Sequence, residues 1–255
     1  MLALLAITAA LAAQDLTLTV GDGTQIHALA EPVAGSEKGV VLVHMQGRHA
    51  GDWAYMGEKL AKSKMQVVMP DLRGHGKNVP EGQTATLVEA DYLAMEGDVR
   101  AAVAWLRAQG VKQVSCAGAA LGANLCAKVA ADDPQIVNLV VLSPGLNYKG
   151  VRVADAIGRY GDRPLLMVAS QDDSYAYTTV VKLEERAKDA EVLLFEKAGS
   201  GTKMLSREPE LEGTLLSWLI GSYKLANGEV VRPRPAEGSA VKDLQSTGEK
   251  LNAHQ

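Results

Sequence analysis

Aromatic side chains are scarce in this chain: one Phe, three Trp and seven Tyr make up 4% of 255 residues. Base-stacking platforms and carbohydrate-binding surfaces are built from aromatic faces, so both are disfavoured. Basic residues have no excess either. Lys plus Arg is 26 against 30 for Asp plus Glu, a formal net charge of −4, and with no basic stripe nucleic acid is not an expected partner. Two cysteines, Cys116 and Cys126, cannot form a disulfide scaffold. They are expected as buried thiols rather than as one short bridge, because free Cys is among the most buried residue types. No stretch approaches the roughly 18 apolar residues that a membrane span needs.

What remains is ordinary globular usage, 47% hydrophobic and 22% charged, which excludes a disordered chain or a fibre and fits one large α/β domain. The first thirteen residues, Met1 to Ala13, carry no charge. They have the length of a secretory leader's apolar core, and Ala10-Leu11-Ala12 offers small residues for cleavage, although no Lys or Arg precedes the core. An exported protein, periplasmic or secreted, is therefore expected; without a genuine leader the protein would be cytoplasmic. The main domain is expected over residues 14–225. From Ala226 to Gln255 the composition turns to Pro, Gly and charge, which reads as a linker or tail. Val241, Leu244 and Leu251 leave room in it for a short helix.

Within the domain, Leu16–Val20 and Gln25–Ala30 alternate in polarity about a Gly-Asp-Gly turn, the pattern of a β-hairpin. Continuous apolar runs at 39–44, 66–69, 113–116, 137–142, 164–169 and 192–195 suit strands buried on both faces. Helix-periodic stretches at 53–62, 90–109, 121–131, 177–188 and 209–223 lie between and after them. Strands alternating with helices predict a mostly parallel central sheet flanked by helices on both faces. Only about twenty residues separate Leu142 from Leu165, space for a short helix but not for a lid domain.

Four segments carry chemistry. Val41-Leu-Val-His44-Met45-Gln46-Gly47 ends a strand in a turn. Asp71-Leu-Arg-Gly-His-Gly76 follows the next strand. Gly118-Ala-Ala-Leu-Gly122 lies between a strand and a helix. Ala169-Ser-Gln-Asp-Asp173 and then Lys197-Ala-Gly-Ser-Gly201 close two later strands. In this order the chain resembles the α/β-hydrolase fold, in particular small lidless esterases similar to dienelactone hydrolases, from about Gly39 to Leu219. The resemblance implies a serine hydrolase's site with no cofactor and no metal. Its oxyanion donors would be the backbone N–H groups of Met45 and Leu121, its nucleophile would stand at position 120, its acid at Asp173 (with Asp172 the neighbouring candidate) and its histidine at position 200.

Two of those positions are substituted. The flanking Gly118 and Gly122 are kept, but Ala120 holds the nucleophile's place, and a methyl group cannot attack a carbonyl. Ser200 stands where the histidine should be and cannot serve as a general base near neutral pH. Loss of the nucleophile alone costs on the order of 10⁶ in rate, because triad members act as a unit. Of the five histidines, His44 and His75 are read as structural supports of their turns, and His27 and His254 as remote. His49 is the one candidate for a replacement base. With His44 and Asp52 it makes no metal-binding frame. Trp53 and Trp105 read as core, Asp71 and Arg73 as a loop ion pair, and Tyr175 and Tyr177 as residues of the pocket mouth.

The expectation is a catalytically degenerate, esterase-like protein that binds a small carbonyl or carboxylate ligand or an unidentified protein partner. The alternative is a weakly active carboxylic-ester hydrolase using His49.

Overall fold

The computed structural model describes residues 13–187 and 190–223. All of the expected leader but Ala13, and the whole tail from Ala226, lie outside them.

The chain opens with an antiparallel hairpin, β1 (Gln14–Thr19) and β2 (Gln25–Glu31), in the register Leu16↔Ala28. Then come β3 (Lys38–Val43), α1 (Ala54–Lys62), β4 (Gln66–Pro70), α2 (Glu89–Ala108), β5 (Gln113–Ala119), α3 (Leu121–Asp132) and β6 (Ile136–Leu142). A two-residue ribbon, β7 (Asn147–Tyr148) with β8 (Val151–Arg152), and the short α4 (Ala154–Tyr160) lead to β9 (Leu165–Ser170). After it follow α5 (Ser174–Glu184), β10 (Glu191–Phe195), α6 (Met204–Arg207) and α7 (Pro209–Ile220). The eight longer strands form one sheet in the order β1-β2-β4-β3-β5-β6-β9-β10, parallel from β4 through β10 and antiparallel at the hairpin edge.

The strand periodicity of two divides this sheet's apolar side chains between two cores. Val41 and Val43 join a cluster with residues of α2, α3, α4 and α5, while Val40 and Leu42 join Trp53, Leu60, Leu215 and Trp218 on the opposite face. Trp53 is fully buried and Trp105 half-buried against the first cluster, so both belong to packing. Only the ribbon and α4 separate β6 from β9, and no lid domain occurs there. The ribbon itself was not legible in the sequence; two-residue strands leave no periodicity. The helix expected at 177–188 starts three residues earlier, at Ser174, because Asp173 accepts the Ala176 N–H at 3.1 Å and caps it.

Two expectations fail here. Cys116 on β5 and Cys126 on α3 are not thiols but a buried disulfide, with Cα atoms 5.7 Å apart. Apolar burial was read correctly, but the strand and helix that flank the same turn bring the two side chains together. Asp71 and Arg73 do not pair with each other. Arg73 forms a fork on buried Asp98 of α2 (Nη2–Oδ1 2.7 Å) and reaches Asp22 at 2.9 Å. Asp71 instead accepts from the Ala50 N–H, the Lys77 N–H and the His27 ring. A loop's neighbours in sequence were the wrong place to look for its counter-charges.

Candidate functional site

In an open parallel sheet, a ligand crevice forms at the carboxyl ends of the strands where the order reverses. The chain passes from β3 to β4 on one side and then to β5 on the other, so the reversal lies between β3 and β5. The turns after those two strands hold His44–Arg48 and Ala120.

Ala120 adopts φ 47°, ψ −112°, a conformation an L-residue rarely takes. Its N–H donates to the Leu142 carbonyl at 2.9 Å, and its own carbonyl accepts from Asn124 N–H at 3.2 Å. The two glycines are sterically required. A Cβ on Gly118 would run into the Gly122 carbonyl, and one on Gly122 would stand 2.5 Å from the His44 carbonyl oxygen. This is the sharp strand-to-helix turn that presents a nucleophile in the resembled enzymes, with a methyl at its tip. The Leu121 N–H opens α3 and is one of the donors that a helix cannot satisfy internally.

Across the crevice, the His44 ring is fully buried and holds the turn after β3, where the oxyanion donors are expected. Its Nδ1–H donates to the Met45 carbonyl (2.8 Å), and Nε2 accepts from Leu72 N–H (3.0 Å). Burial pushes its pKa down to about 4, so it is neutral, and both ring nitrogens are occupied. Its structural reading fits this geometry. Neither the Met45 nor the Gln46 N–H has a hydrogen-bond partner among the described residues. The Gln46 donor adjoins the one expected from sequence.

The loop that carries Ser200 closes against the elbow. A Cβ on Gly201 would lie 2.7 Å from Met45 Sδ and 3.4 Å from Ala119 Cβ. Three side chains accept backbone N–H groups of that loop. Ser170 Oγ accepts from Ala198 N–H (2.8 Å), Asp172 from Gly199 N–H (3.0 and 3.1 Å), and Ser143 Oγ from Gly201 N–H (2.8 Å). Ser143 is wholly buried at φ 48° just after β6, and no motif in the sequence marked it. Ser200 is half-buried and extended.

Both acid candidates have structural employment. Asp173 is the α5 cap. Asp172 also accepts from Ser170 Oγ at 2.6 Å, which with the Gly199 N–H keeps its carboxyl below the usual range. His49 lies more than half exposed at the surface. Its Nδ1 accepts from Gly51 N–H at 3.1 Å, capping a short 3₁₀ turn, and Nε2 is 4.0 Å from Asp52. Asp52 bridges the two loops through Arg48 (2.6 and 2.7 Å) and Thr202 Oγ1 (3.3 Å). Of the two tyrosines expected at the mouth, Tyr177 is buried in the core because its helix turns it inward. Tyr175 is exposed, edge-on to Tyr148, with its hydroxyl bonded to Asn147. Among the described residues no group of three or more His, Cys, Asp or Glu is disposed to hold a metal ion.

A family model, Hydrolase_4, described as serine aminopeptidase, S33, matches residues 35–199, well over half of the chain. The chain belongs to the S33 serine aminopeptidase family. The S33 match ends one residue before Ser200. Solved structures share the α/β-hydrolase fold at low identity. An esterase from Pyrococcus furiosus is 17% identical with TM-score 0.68, over 82% of this chain and 91% of that one. A dienelactone hydrolase from Anabaena variabilis is 17% identical with TM-score 0.67, over 82% and 97%. An esterase from Exiguobacterium antarcticum is 14% identical with TM-score 0.65, over 82% and 100%. No curated protein matches the chain. The α/β-hydrolase fold is thus common ground between the motifs and the architecture, and no helix among the described residues is long and apolar enough to cross a membrane.

Proposed function

We propose that this S33-family protein is catalytically degenerate and uses its elbow to bind a small carbonyl or carboxylate compound. One observation carries the reading: Ala120 holds the strained nucleophile conformation while offering no atom that can attack. The unpaired N–H groups of Met45 and Gln46, with the helix start at Leu121 after the neighbouring strand, suit a carbonyl or carboxylate oxygen without any covalent chemistry. Ser200 in the histidine's place removes the base as well. His49 gives the alternative, a weak hydrolase, little support, since its Nδ1 is spent on the Gly51 N–H.

Export belongs to the same proposal. The uncharged leader over 1–13 speaks for it, and so does the Cys116–Cys126 disulfide, because such bridges persist in oxidising compartments. The domain over 14–225 and the polar tail over 226–255 are read as before.

The test uses a short p-nitrophenyl ester with the natural protein and with the Ala120→Ser, Ser200→His double variant. A silent natural protein beside an active double variant supports the proposal. Turnover by the natural protein, abolished by His49→Ala, overturns it in favour of the weak hydrolase. If both are silent, soaking acetate into crystals and finding no occupancy at the Met45 and Leu121 N–H groups overturns the ligand site.

A further inference from the structure

Eight methionines are spread along the chain, and Met1 lies outside the described residues. Met56, Met65, Met69, Met95, Met167 and Met204 are each at most 1% exposed. Met45, on the turn after β3, is half-buried. Oxidation of a side-chain sulfur follows its access to solvent, so among the described methionines Met45 is the accessible target. No thiol competes for the oxidant, because Cys116 and Cys126 are joined to each other.

The sulfur also occupies the space in front of Gly201. A Cβ at Gly201 would lie 2.7 Å from Met45 Sδ and 3.6 Å from its Cε, and the first of these is shorter than any ordinary contact. The loop that carries Ser200 therefore rests on the thioether itself. On one side of this contact the Gly201 N–H donates to buried Ser143 Oγ at 2.8 Å. On the other, Thr202 Oγ1 is 4.0 Å from Sδ and donates to Asp52 Oδ2 at 3.3 Å. A thioether is only a weak acceptor, so it leaves both of those bonds undisturbed.

We propose that Met45 is a peroxide-sensitive modification site whose oxidation to the sulfoxide lifts the Ser200 loop off the elbow. The Sδ lone pair attacks one oxygen of hydrogen peroxide; the S–O bond forms as the O–O bond breaks. The proton on the transferred oxygen passes to the departing hydroxide, which leaves as water. Sulfur is oxidised by two electrons and the peroxide is reduced by two. The product is a polar side chain with a strong acceptor oxygen, placed where Gly201 leaves no clearance. The loop must yield, and the Thr202 hydroxyl gains an acceptor that rivals Asp52. An effect on ligand binding rests on the reading of the elbow as a carbonyl or carboxylate site, since the same residue carries one of its donors. The modification and the loop's response do not.

The experiment treats the folded, full-length protein with hydrogen peroxide and maps the added oxygen by peptide mass spectrometry. Met45 should be oxidised about tenfold or more faster than any of the six buried methionines, which must wait for local opening. In the oxidised protein, amide exchange at Gly201 should quicken about tenfold while that at Ala176, on α5, stays as it was. Acetate, titrated against both forms by NMR, should bind the oxidised form about tenfold more weakly, the worth of one hydrogen bond. Met45→Leu, which has no sulfur, should show no response to peroxide at Gly201 or in whatever acetate affinity it has. Oxidation of Met45 no faster than that of the buried methionines, or unchanged Gly201 exchange once Met45 is oxidised, would overturn the proposal. Equal acetate binding by both forms would overturn its link to the ligand. If acetate binds neither form, the reading of the elbow falls, while the Met45 mapping and the Gly201 exchange still decide this one. Both are measured on the natural protein, so they stand even if Met45→Leu does not fold.

Discussion

Asp172 and Gly199 join the end of β9 to the loop that carries Ser200: the Gly199 N–H donates to both Asp172 carboxylate oxygens, at 3.0 and 3.1 Å. Asp173, one residue on, turns the other way to cap α5. The two neighbours therefore divide between loop and helix. Asp172→Ala should speed amide hydrogen exchange at Gly199 and leave Ala176 unchanged. Asp173→Ala should do the reverse, with a stability loss of about 1 kcal/mol for the missing cap. Exchange rates measured residue by residue would distinguish them, and equal effects at both amides would contradict this division.

The elbow stores strain that serves no nucleophile here. A non-glycine residue in such a conformation costs of order 1–3 kcal/mol, while glycine adopts it freely but adds freedom to the unfolded chain. Ala120→Gly should therefore stabilise the protein by about 1 kcal/mol in urea unfolding. Ala120→Val should destabilise it by more than that, because branching at Cβ worsens the same clash.

His44 predicts a pH dependence whose sign follows from linkage. Its pKa is about 6.5 unfolded and about 4 folded, so between those values the unfolded chain binds more protons. The stability contributed by its neutral form is complete above about pH 6.5 and is lost as pH falls towards 4. The full loss is roughly 3 kcal/mol at 1.36 kcal/mol per unit. Unfolding midpoints measured from pH 7 to pH 4 in the natural protein and in His44→Gln should diverge at neutral pH and converge in acid.

The Cys116–Cys126 bridge closes a short loop around the elbow, at a sequence separation of 10. Because both residues are wholly buried, a thiol reagent should label neither in the native protein, even with a reductant present, until the fold opens. Replacing both by Ala should lower stability by about 2–4 kcal/mol, the usual worth of a native disulfide. Thiol counts in native and unfolded samples, with and without reductant, check the first part.

Arg73 should be anchored by Asp98 rather than by Asp71. The Asp98 carboxylate is buried, and burial raises its pKa against the pull of the guanidinium. Asp98→Ala leaves a partly buried Arg73 without its fork and should destabilise by about 3 kcal/mol. Asp71→Asn should act instead on His27, loosening the β1–β2 hairpin that Asp71 helps hold.

The alternation of strands and helices, the parallel sheet, the glycine-flanked turn, the Ala120 at its tip and the Ser200 after β10 could all be read along the chain. Each of these is local. An apolar run or a helical period is written over consecutive residues, and Gly118 and Gly122 mark their turn within five positions. It took the folded arrangement to show which carboxylate meets the Ser200 loop, that Arg73 reaches α2, that two cysteines meet, and that His75 and Tyr92 share a groove. Those pairings join residues from 10 to 27 positions apart in the chain. They depend on which loops the strand order brings to the same edge of the sheet, and no period in the sequence records that.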